Sequence, residues 1–451
     1  MNVVILGAGL VGFQLADELI REGNDVVIIE KNPDRARYVA GHLDCMVIND
    51  EGTRLSTFKK ARLARADFFI SVTNMDEVNM ISCGIVSGEY PDTVRIARVR
   101  NADYSRAGIL SKSFLGIDFV VNPEVETARN IANAVALGAD SDVMLFENSD
   151  MQIRNLVVKP TSFFRGRTMK DIKKTLDEPF LVAGIARGDD FIIPSGDTAV
   201  LEHDNIYLLA SKNTLTRIFI KAGKKKEKID RLVIVGGGKI GQLACQHLIR
   251  TGRRITFVES DYEICKALSS RFKRALVLHS DISDEDIFEQ EKLSEYDLIV
   301  TTTNNEELNI LTSVYAKSLG IKKAMALVSK ASYMPIAARL NIDSIINPKH
   351  STVDAILKFL RRGDIRSVHS LFGGKAEVIE FIASETCTLA GKRLMDIAMP
   401  HDSLILTILR EGERDIIPGG DSVIRTNDRI VVISSKESVP EVDRFFSGTD
   451  R

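Results

Sequence analysis

Two glycine clusters stand where an apolar segment gives way to an amphipathic one, and both offer the same chemistry. Gly7-x-Gly9-x-x-Gly12 follows Val3 to Leu6 and precedes Leu15, Leu19 and Ile20. A strand, a tight glycine turn and a helix in that order bring a phosphate to backbone N–H groups at a helix N-terminus, where the peptide dipoles favour negative charge. Glu30 closes the next apolar run, 18 residues past Gly12, where a carboxylate can accept both hydroxyls of an adenosine ribose. Gly236, Gly238, Gly241 and Glu259 repeat the set 229 residues later. One such cluster is a weak sign, since glycines also serve strand-helix packing and a strand-end acid can simply be solvated. Two at one offset make nucleotide binding the sharper reading. A glutamate here repels a ribose 2′-phosphate, so NAD, NADH, ATP and ADP fit better than NADP; the sequence does not rank those four.

Further polar residues fall where strands end. Asp50 and Asp281 follow the third strand of each copy and either face the nucleotide or cap the next helix. Thr73-Asn74 and Thr303-Asn304 close the fourth strand, at the carboxyl edge where ligands of open α/β sheets lie, or else cap a loop there. Arg98 and Arg100 belong to the fifth run and, two apart, share a face from which they can bond a polyphosphate. The matching stretch of the second copy, Met325 to Ala331, has no arginine, and Val328 and Ser329 stand near those positions. The two sites therefore differ in preference, the first being better suited to ATP or ADP.

The elements that must hold these residues are legible from period and punctuation. Short β-branched runs at Val3–Leu6, Val26–Ile29, Met46–Ile48, Phe68–Val72, Val94–Val99 and Phe119–Val121 alternate with helical patterns. That alternation predicts an α/β, doubly wound parallel sheet of Rossmann type. Asn122-Pro123 starts a helix, with Asn as N-cap and Pro at the first helical position, over Val125 to Leu137; Asn347-Pro348 repeats the device. Beyond it, runs at Asn155–Val158, Phe180–Ile185 and Asn205–Leu209 surround one short helix near Met169 to Lys173, a small α+β module.

The duplication covers nearly the whole chain. TNMDEVN at Thr73 returns as TNNEELN at Thr303, and IIPSGD at Ile192 returns as IIPGGD at Ile416. The expected domains are residues 1–123 and 230–348, of Rossmann type, and residues 140–224 and 366–449, the small modules. The polar, lysine-rich Lys221 to Lys228 between the copies is a solvated linker, with contact to an anionic lipid or partner as the alternative.

Composition removes several function classes. The 451 residues carry 60 Lys and Arg against 62 Asp and Glu, so no global field favours nucleic acid or anionic lipid. No apolar run reaches the length of a membrane span, and no signal sequence is indicated, so the expected location is cytoplasmic. Cys45, Cys83, Cys245, Cys265 and Cys387 are an odd, scattered set, unlike a disulfide framework or a thiolate zinc site. Seven scattered histidines and the absence of GxSxG, HExxH or GxxxxGK[ST] leave no catalytic constellation and no metal site.

Taken in order, GAGLVG, the strand-end Glu30, TNMDEVN, IARVRN, the Asn-Pro helix start and the Gly-Asp turn near Asp197 resemble the TrkA family, the peripheral regulatory subunits of Trk potassium uptake. The resemblance spans nearly all of the chain. It implies two tandem RCK units, each a KTN Rossmann domain followed by an RCK C-terminal domain. It further implies a non-enzymatic gating subunit that binds NAD(H) and ATP or ADP. The subunit would assemble as a homotetramer on the inner face of the cell membrane and act on a TrkH-type potassium channel. Carried over by position, Gly7, Ala8, Gly9, Leu10, Val11, Gly12, Glu30, Thr73, Asn74 and Arg98 would hold nucleotide in the first site. Gly236, Gly237, Gly238, Lys239, Ile240, Gly241 and Glu259 would do so in the second.

Three rivals remain open on sequence. An NAD-dependent oxidoreductase shares the glycine loop and strand-end Glu, but requires a nonrepeated catalytic segment that the duplication leaves no room for. A methyltransferase would use the same loop with Glu30 and Asp50 for S-adenosylmethionine. A ligand-sensing scaffold without a channel is the third.

Overall fold

The computed structural model describes the chain except for residues 102–103, 105–114, 137, 139–142, 147–148, 189, 224–228, 285, 331, 341, 361–364, 372–374, 384–388, 411, 414 and 448–451. Most of the lysine-rich linker, and Cys387, therefore lie outside the described residues.

In the first repeat, β1 (Asn2–Leu6), β2 (Asp25–Glu30), β3 (Met46–Asn49), β4 (Phe68–Ser71), β5 (Val94–Arg98) and β6 (Phe119–Val121) form a parallel sheet in the order β3-β2-β1-β4-β5-β6. Its helices are α1 (Leu10–Arg21), α2 (Pro33–Ala40), α3 (Leu55–Lys60), α4 (Asp76–Glu89) and α5 (Pro123–Ala136). The strand order reverses between β1 and β4, which opens a crevice beyond their carboxyl ends. The glycine loop between β1 and α1 stands at that crevice.

The small module that follows contains β7 (Val143–Leu145), β8 (Met151–Val157), α6 (Met169–Thr175), β9 (Phe180–Arg187), β10 (Asp190–Ile192), β11 (Asn205–Ser211) and α7 (Lys212–Lys221). Its sheet is antiparallel, ordered β10-β9-β11-β8-β7. Thr168 starts α6 by accepting the Asp171 N–H at 3.2 Å, which accounts for the short helix in an otherwise β sequence.

The second repeat rebuilds the parallel sheet from β12 (Arg231–Val235), β13 (Arg254–Glu259), β14 (Leu276–His279), β15 (Leu298–Thr301), β16 (Lys323–Leu327) and β17 (Ser344–Ile346), ordered β14-β13-β12-β15-β16-β17. Its helices are α8 (Lys239–Leu248), α9 (Tyr262–Arg271), α10 (Asp286–Gln290), α11 (Glu306–Ser318), α12 (Met334–Arg339) and α13 (Pro348–Leu360). A sheet of β18 (Ile365–Leu371), β19 (Ala376–Ile382), β20 (Ser403–Leu409) and β21 (Arg429–Ser435), with the helix α14 (Val439–Ser447), ends the chain.

The four segments do not sit as four separate bodies in series. They gather into two compact units, Met1–Ser141 with Lys228–Leu360 and Asp142–Glu227 with Arg361–Arg451, so each unit joins like segments of both repeats. In the first unit the crossover helices are exchanged. Ala128, Ile131 and Val135 of α5 bury their side chains in one cluster with Ala244, Cys245 and Leu248 of α8. Val353, Ile356, Leu357 and Leu360 of α13 do the same with Leu15 and Leu19 of α1. Each helix carries apolar residues at helical spacing on a face that its own sheet leaves open, and the other repeat buries it. At about 1.5–3 kcal/mol for each fully buried aliphatic side chain, this exchange is a principal source of the unit's cohesion.

The second unit is built on the same principle, with Met144, Phe146, Ile153 and Leu209 sharing a core with Val378, Leu406 and Val431. Each module also holds a fork of two parallel bonds: Arg187 to Asp204 at 2.9 and 2.8 Å, and Arg410 to Asp428 at 2.8 and 3.0 Å.

Candidate functional site

The three glycines of each loop are required for three different reasons. Gly7 has φ +100° and Gly236 φ +95°, a region that side chains disfavour. A Cβ on Gly12 would lie 1.9 Å from the Gly7 carbonyl oxygen, and one on Gly241 2.3 Å from that of Gly236. The third case differs in kind. Gly9 and Gly238 have extended backbone (φ −62° and −65°), and a Cβ on either would meet nothing within 4 Å. Neither fold geometry nor packing calls for glycine there, and the open space leaves the backbone accessible to close approach by a ligand.

The helices behind the loops are left open to an anion. Gly9 and Gly238 are the N-caps of α1 and α8 and offer no side-chain cap, whereas Asn32, Asp261, Thr168 and Asn305 cap their own helices. The first N–H groups of a helix lack intrahelical partners and carry its positive pole, so these two ends suit a phosphate. The acids close the other side: Glu30 Oε2 accepts the Ala8 N–H at 2.7 Å, and Glu259 Oε2 accepts that of Gly237 at 2.6 Å. Their second oxygens accept the N–H of Asn32 and of Asp261. Each carboxylate is thereby fixed beside its loop with lone pairs remaining for ribose hydroxyls. Leu10 is exposed, while Ala8 and Val11 are buried and Ile240 is half-buried.

The threonine of each strand-end pair is held by a buried asparagine. Asn79, fully buried on α4, accepts from the Thr73 N–H at 2.9 Å, the Thr73 hydroxyl at 2.7 Å and the Ser71 hydroxyl at 2.9 Å. Its amide donates to the carbonyls of Thr73 and Arg98, at 3.1 and 2.8 Å. Asn309 holds Thr303 and Leu327 in the same way. The hydroxyls of Thr73 and Thr303 are thus engaged in loop capping, while Asn74 and Asn304 stay exposed at the crevice rim. Asn79 and Asn309 were not among the expected site residues. The signal was present, because each is the last letter of the repeated TNMDEVN and TNNEELN.

β5 ends at Arg98 and Arg100 lies beyond it, so the two do not share a strand face. Asp76 accepts the Arg100 N–H at 2.9 Å, which turns the chain out of the sheet. Arg98 donates to the Thr73 carbonyl at 3.4 Å, and its Nε is buried with no hydrogen-bond partner among the described residues. Burial, with Arg100 as a neighbouring like charge, holds the Arg98 guanidinium below its ordinary value. The Arg100 guanidinium stands 3.7 Å from Glu124, the second residue of α5. The amide of Asn309 also places Leu327, not Val328, at the position of Arg98; Ser329 matches Arg100.

The third-strand acids have partners of their own. Lys60 at 2.8 Å and the Glu51 N–H at 2.9 Å hold Asp50, lowering its pKa to about 2. Asp281 accepts the Ser283 hydroxyl and N–H at 2.6 and 2.9 Å, which lowers its pKa too and closes a turn before α10. Neither is a helix N-cap. Among the described residues no group of three or more His, Cys, Asp or Glu could hold a metal ion. No helix of these residues is long and apolar enough to cross a membrane.

Fold and loop geometry together define a duplicated protein of Rossmann-type domains, each followed by a small α+β module. The model of the TrkA-N domain matches residues 3–123 and 232–348, and that of the TrkA-C domain matches 153–219 and 378–447. The chain belongs to the TrkA family. It is 31% identical to the "Trk system potassium uptake protein TrkA" of Halomonas elongata, over 99% of this chain and 98% of that one. It is 30% identical to the "Trk system potassium uptake protein TrkA homolog 1" of Methanosarcina mazei, over 99% and 100%. The solved structure "GsuK channel bound to NAD" superposes over 99% of this chain and 79% of its own, at TM-score 0.58 and 18% identity, a likeness of fold.

Proposed function

We propose that the chain is the regulatory subunit of a Trk-type potassium-uptake system, a nucleotide sensor and not an enzyme. The observation that carries this reading is the pair of loops at Gly9 and Gly238. Each has an uncapped helix start, space where a Cβ would stand, and a fixed carboxylate alongside. The names of the relatives supply the potassium system.

In the first site, Gly7 to Gly12 would hold the phosphates and Glu30 the ribose. Arg98, half-buried and with an unused Nε, would meet the far phosphate of ATP or ADP. The second loop with Glu259 would hold an adenine nucleotide such as NAD or NADH. The bound nucleotide supplies negative charge and differential contacts, not a reaction.

The exchanged helices suggest how binding is read out. A ligand shifts a gate only through different affinity for two conformations. Phosphate at the first loop bears on α1, against which α13 of the second repeat packs, and draws on Arg98 and Arg100, beside the start of α5. Assembled as a homotetramer on the cytoplasmic face of a TrkH-type channel, the chain would convert that shift into channel opening. The test is potassium flux through a reconstituted TrkH-type channel with this protein and either ATP or ADP. The reading expects the two nucleotides to give different open probabilities and different ring geometries; indistinguishable results contradict it.

A further inference from the structure

The two loops differ most at one residue. Where the first has Leu10, 58% exposed, the second has Lys239, likewise exposed and the first residue of α8. Lys239 has no ion pair or hydrogen bond among the described residues. It stands directly after Gly238, the loop position with open space where a Cβ would be and no cap on the helix behind it.

The cations around the two sites are redistributed to match. In the first repeat guanidinium groups bracket the loop. Arg35 donates to the Ala8 carbonyl at 2.6 Å over the ring of Tyr38, and Arg98 with Arg100 lies at the far edge. In the second repeat the corresponding loop carbonyl, that of Gly237, is held by a neutral amide, Gln242 at 2.8 Å, which Arg271 supports from behind. The far edge carries Leu327 and Ser329, and the nearby ammonium of Lys349 donates to the Ser329 carbonyl at 3.0 Å.

We infer that Lys239 is the anion-recognising side chain of the second site, and that this ammonium, together with a far edge lacking the arginines of the first site, suits the site to the diphosphate bridge of a dinucleotide over a nucleoside triphosphate. The inference rests on the reading that the second loop binds an adenine nucleotide. An ammonium on the loop itself meets the two central phosphates, where a charge-assisted bond adds to the helix N–H groups. An edge of Leu327 and Ser329, with the Lys349 ammonium turned to the Ser329 carbonyl, offers a third phosphate no counterpart of the Arg98 guanidinium and suits the less charged second half of a dinucleotide better.

The chain contains no tryptophan, so Tyr262→Trp, at an exposed position on α9 three residues from Glu259, gives one fluorophore local to the second site. Full-length reporter chains would be titrated with NADH, ADP and ATP at two ionic strengths, with and without Lys239→Leu and Lys239→Arg. The expected result is roughly tenfold weaker NADH binding with Lys239→Leu, a flatter salt dependence, near-normal binding with Lys239→Arg, and ATP no tighter than ADP. Unchanged NADH affinity in Lys239→Leu, or ATP binding ten times tighter than ADP, overturns the inference while leaving a second nucleotide site in place. Absence of any response or calorimetric binding at the second site overturns the site itself, and the inference with it.

Discussion

Ile131, on the crossover helix of the first repeat, and Leu248, on the glycine-loop helix of the second, share one buried cluster at 1% exposure each. The helix that leaves one sheet therefore forms the back of the other repeat's loop, and α13 returns the arrangement with Leu357 against the helix that holds Leu15. A ligand at either loop acts on a helix whose packing partner belongs to the other copy.

Truncating that contact should loosen the distant loop. Leu357→Ala removes a side chain that is 2% exposed and should cost about 2–5 kcal/mol, since the site cannot fully collapse around the cavity. Hydrogen exchange should then show faster exchange for the amides of α1 in the first repeat, 336 or more positions away in sequence. Acceleration confined to α13 would mean that the two helices are not mechanically joined.

The glycine loop allows packing and binding to be separated. Gly12→Ala forces a Cβ to within 1.9 Å of the Gly7 carbonyl and should lower stability by roughly 1–3 kcal/mol or more. Gly9→Ala meets open space, so thermal unfolding should stay near that of the parent while nucleotide affinity at the first site falls. Equal losses of stability in both variants would remove the argument that Gly9 is kept for a ligand.

How much of this was legible beforehand follows from what each residue answers to. The strands of the first parallel sheet lie within one residue of their expected limits, because a buried parallel strand is written as an apolar run and ends at glycine or polar residues; Phe119–Val121 is unchanged. In the small module β8 begins at Met151, four residues before the expected Asn155, and the short edge strands β7 and β10 carry no apolar run long enough to announce them. Asn122 accepts the Val125 N–H at 3.1 Å, as a local capping signal should. What sequence could not supply was pairing at long range. The exchange of α5 and α13 depends on which apolar faces remain uncovered once each sheet has formed, and no local period encodes it. Thr73 ends a strand at the crevice, as expected, but the bond its hydroxyl donates to Asn79, six positions on, is set by the angle at which α4 leaves the sheet. The spacing of Arg98 and Arg100 predicts a shared strand face, but β5 ends at Arg98 and Asp76 holds the Arg100 N–H beyond it.

Asn79 should prove costly to change. Asn79→Ala leaves the Thr73 N–H and the Arg98 carbonyl without their partner in a buried place, a loss of about 2–4 kcal/mol for the pair. Asn79→Asp keeps the acceptor for Thr73 but turns a lone pair toward the Arg98 carbonyl, so it should not rescue stability. Chemical denaturation of the two variants beside the parent checks this, and a full rescue by Asp would contradict the assigned amide orientation.

Asp50 provides a pH prediction. Its folded pKa of about 2 lies below the ordinary 3.8, chiefly through Lys60. A lowered carboxylate contributes stability that is present above its unfolded value and is lost as pH falls through the folded one, here between about 4 and 2. A carboxyl-detected NMR titration should find Asp50 still charged at pH 3 and, in Lys60→Ala, protonating closer to its ordinary value. An unchanged titration in Lys60→Ala would show that the ion pair is not the cause.

Calorimetric titration of nucleotide-stripped protein with ATP, ADP and NADH, in the parent and in Arg98→Ala, distinguishes one nucleotide site from two. Two separable sites per chain are expected, with Arg98→Ala weakening ATP and ADP at one of them and leaving NADH at the other unchanged. A single site selective for NADH and indifferent to Arg98 would contradict that expectation.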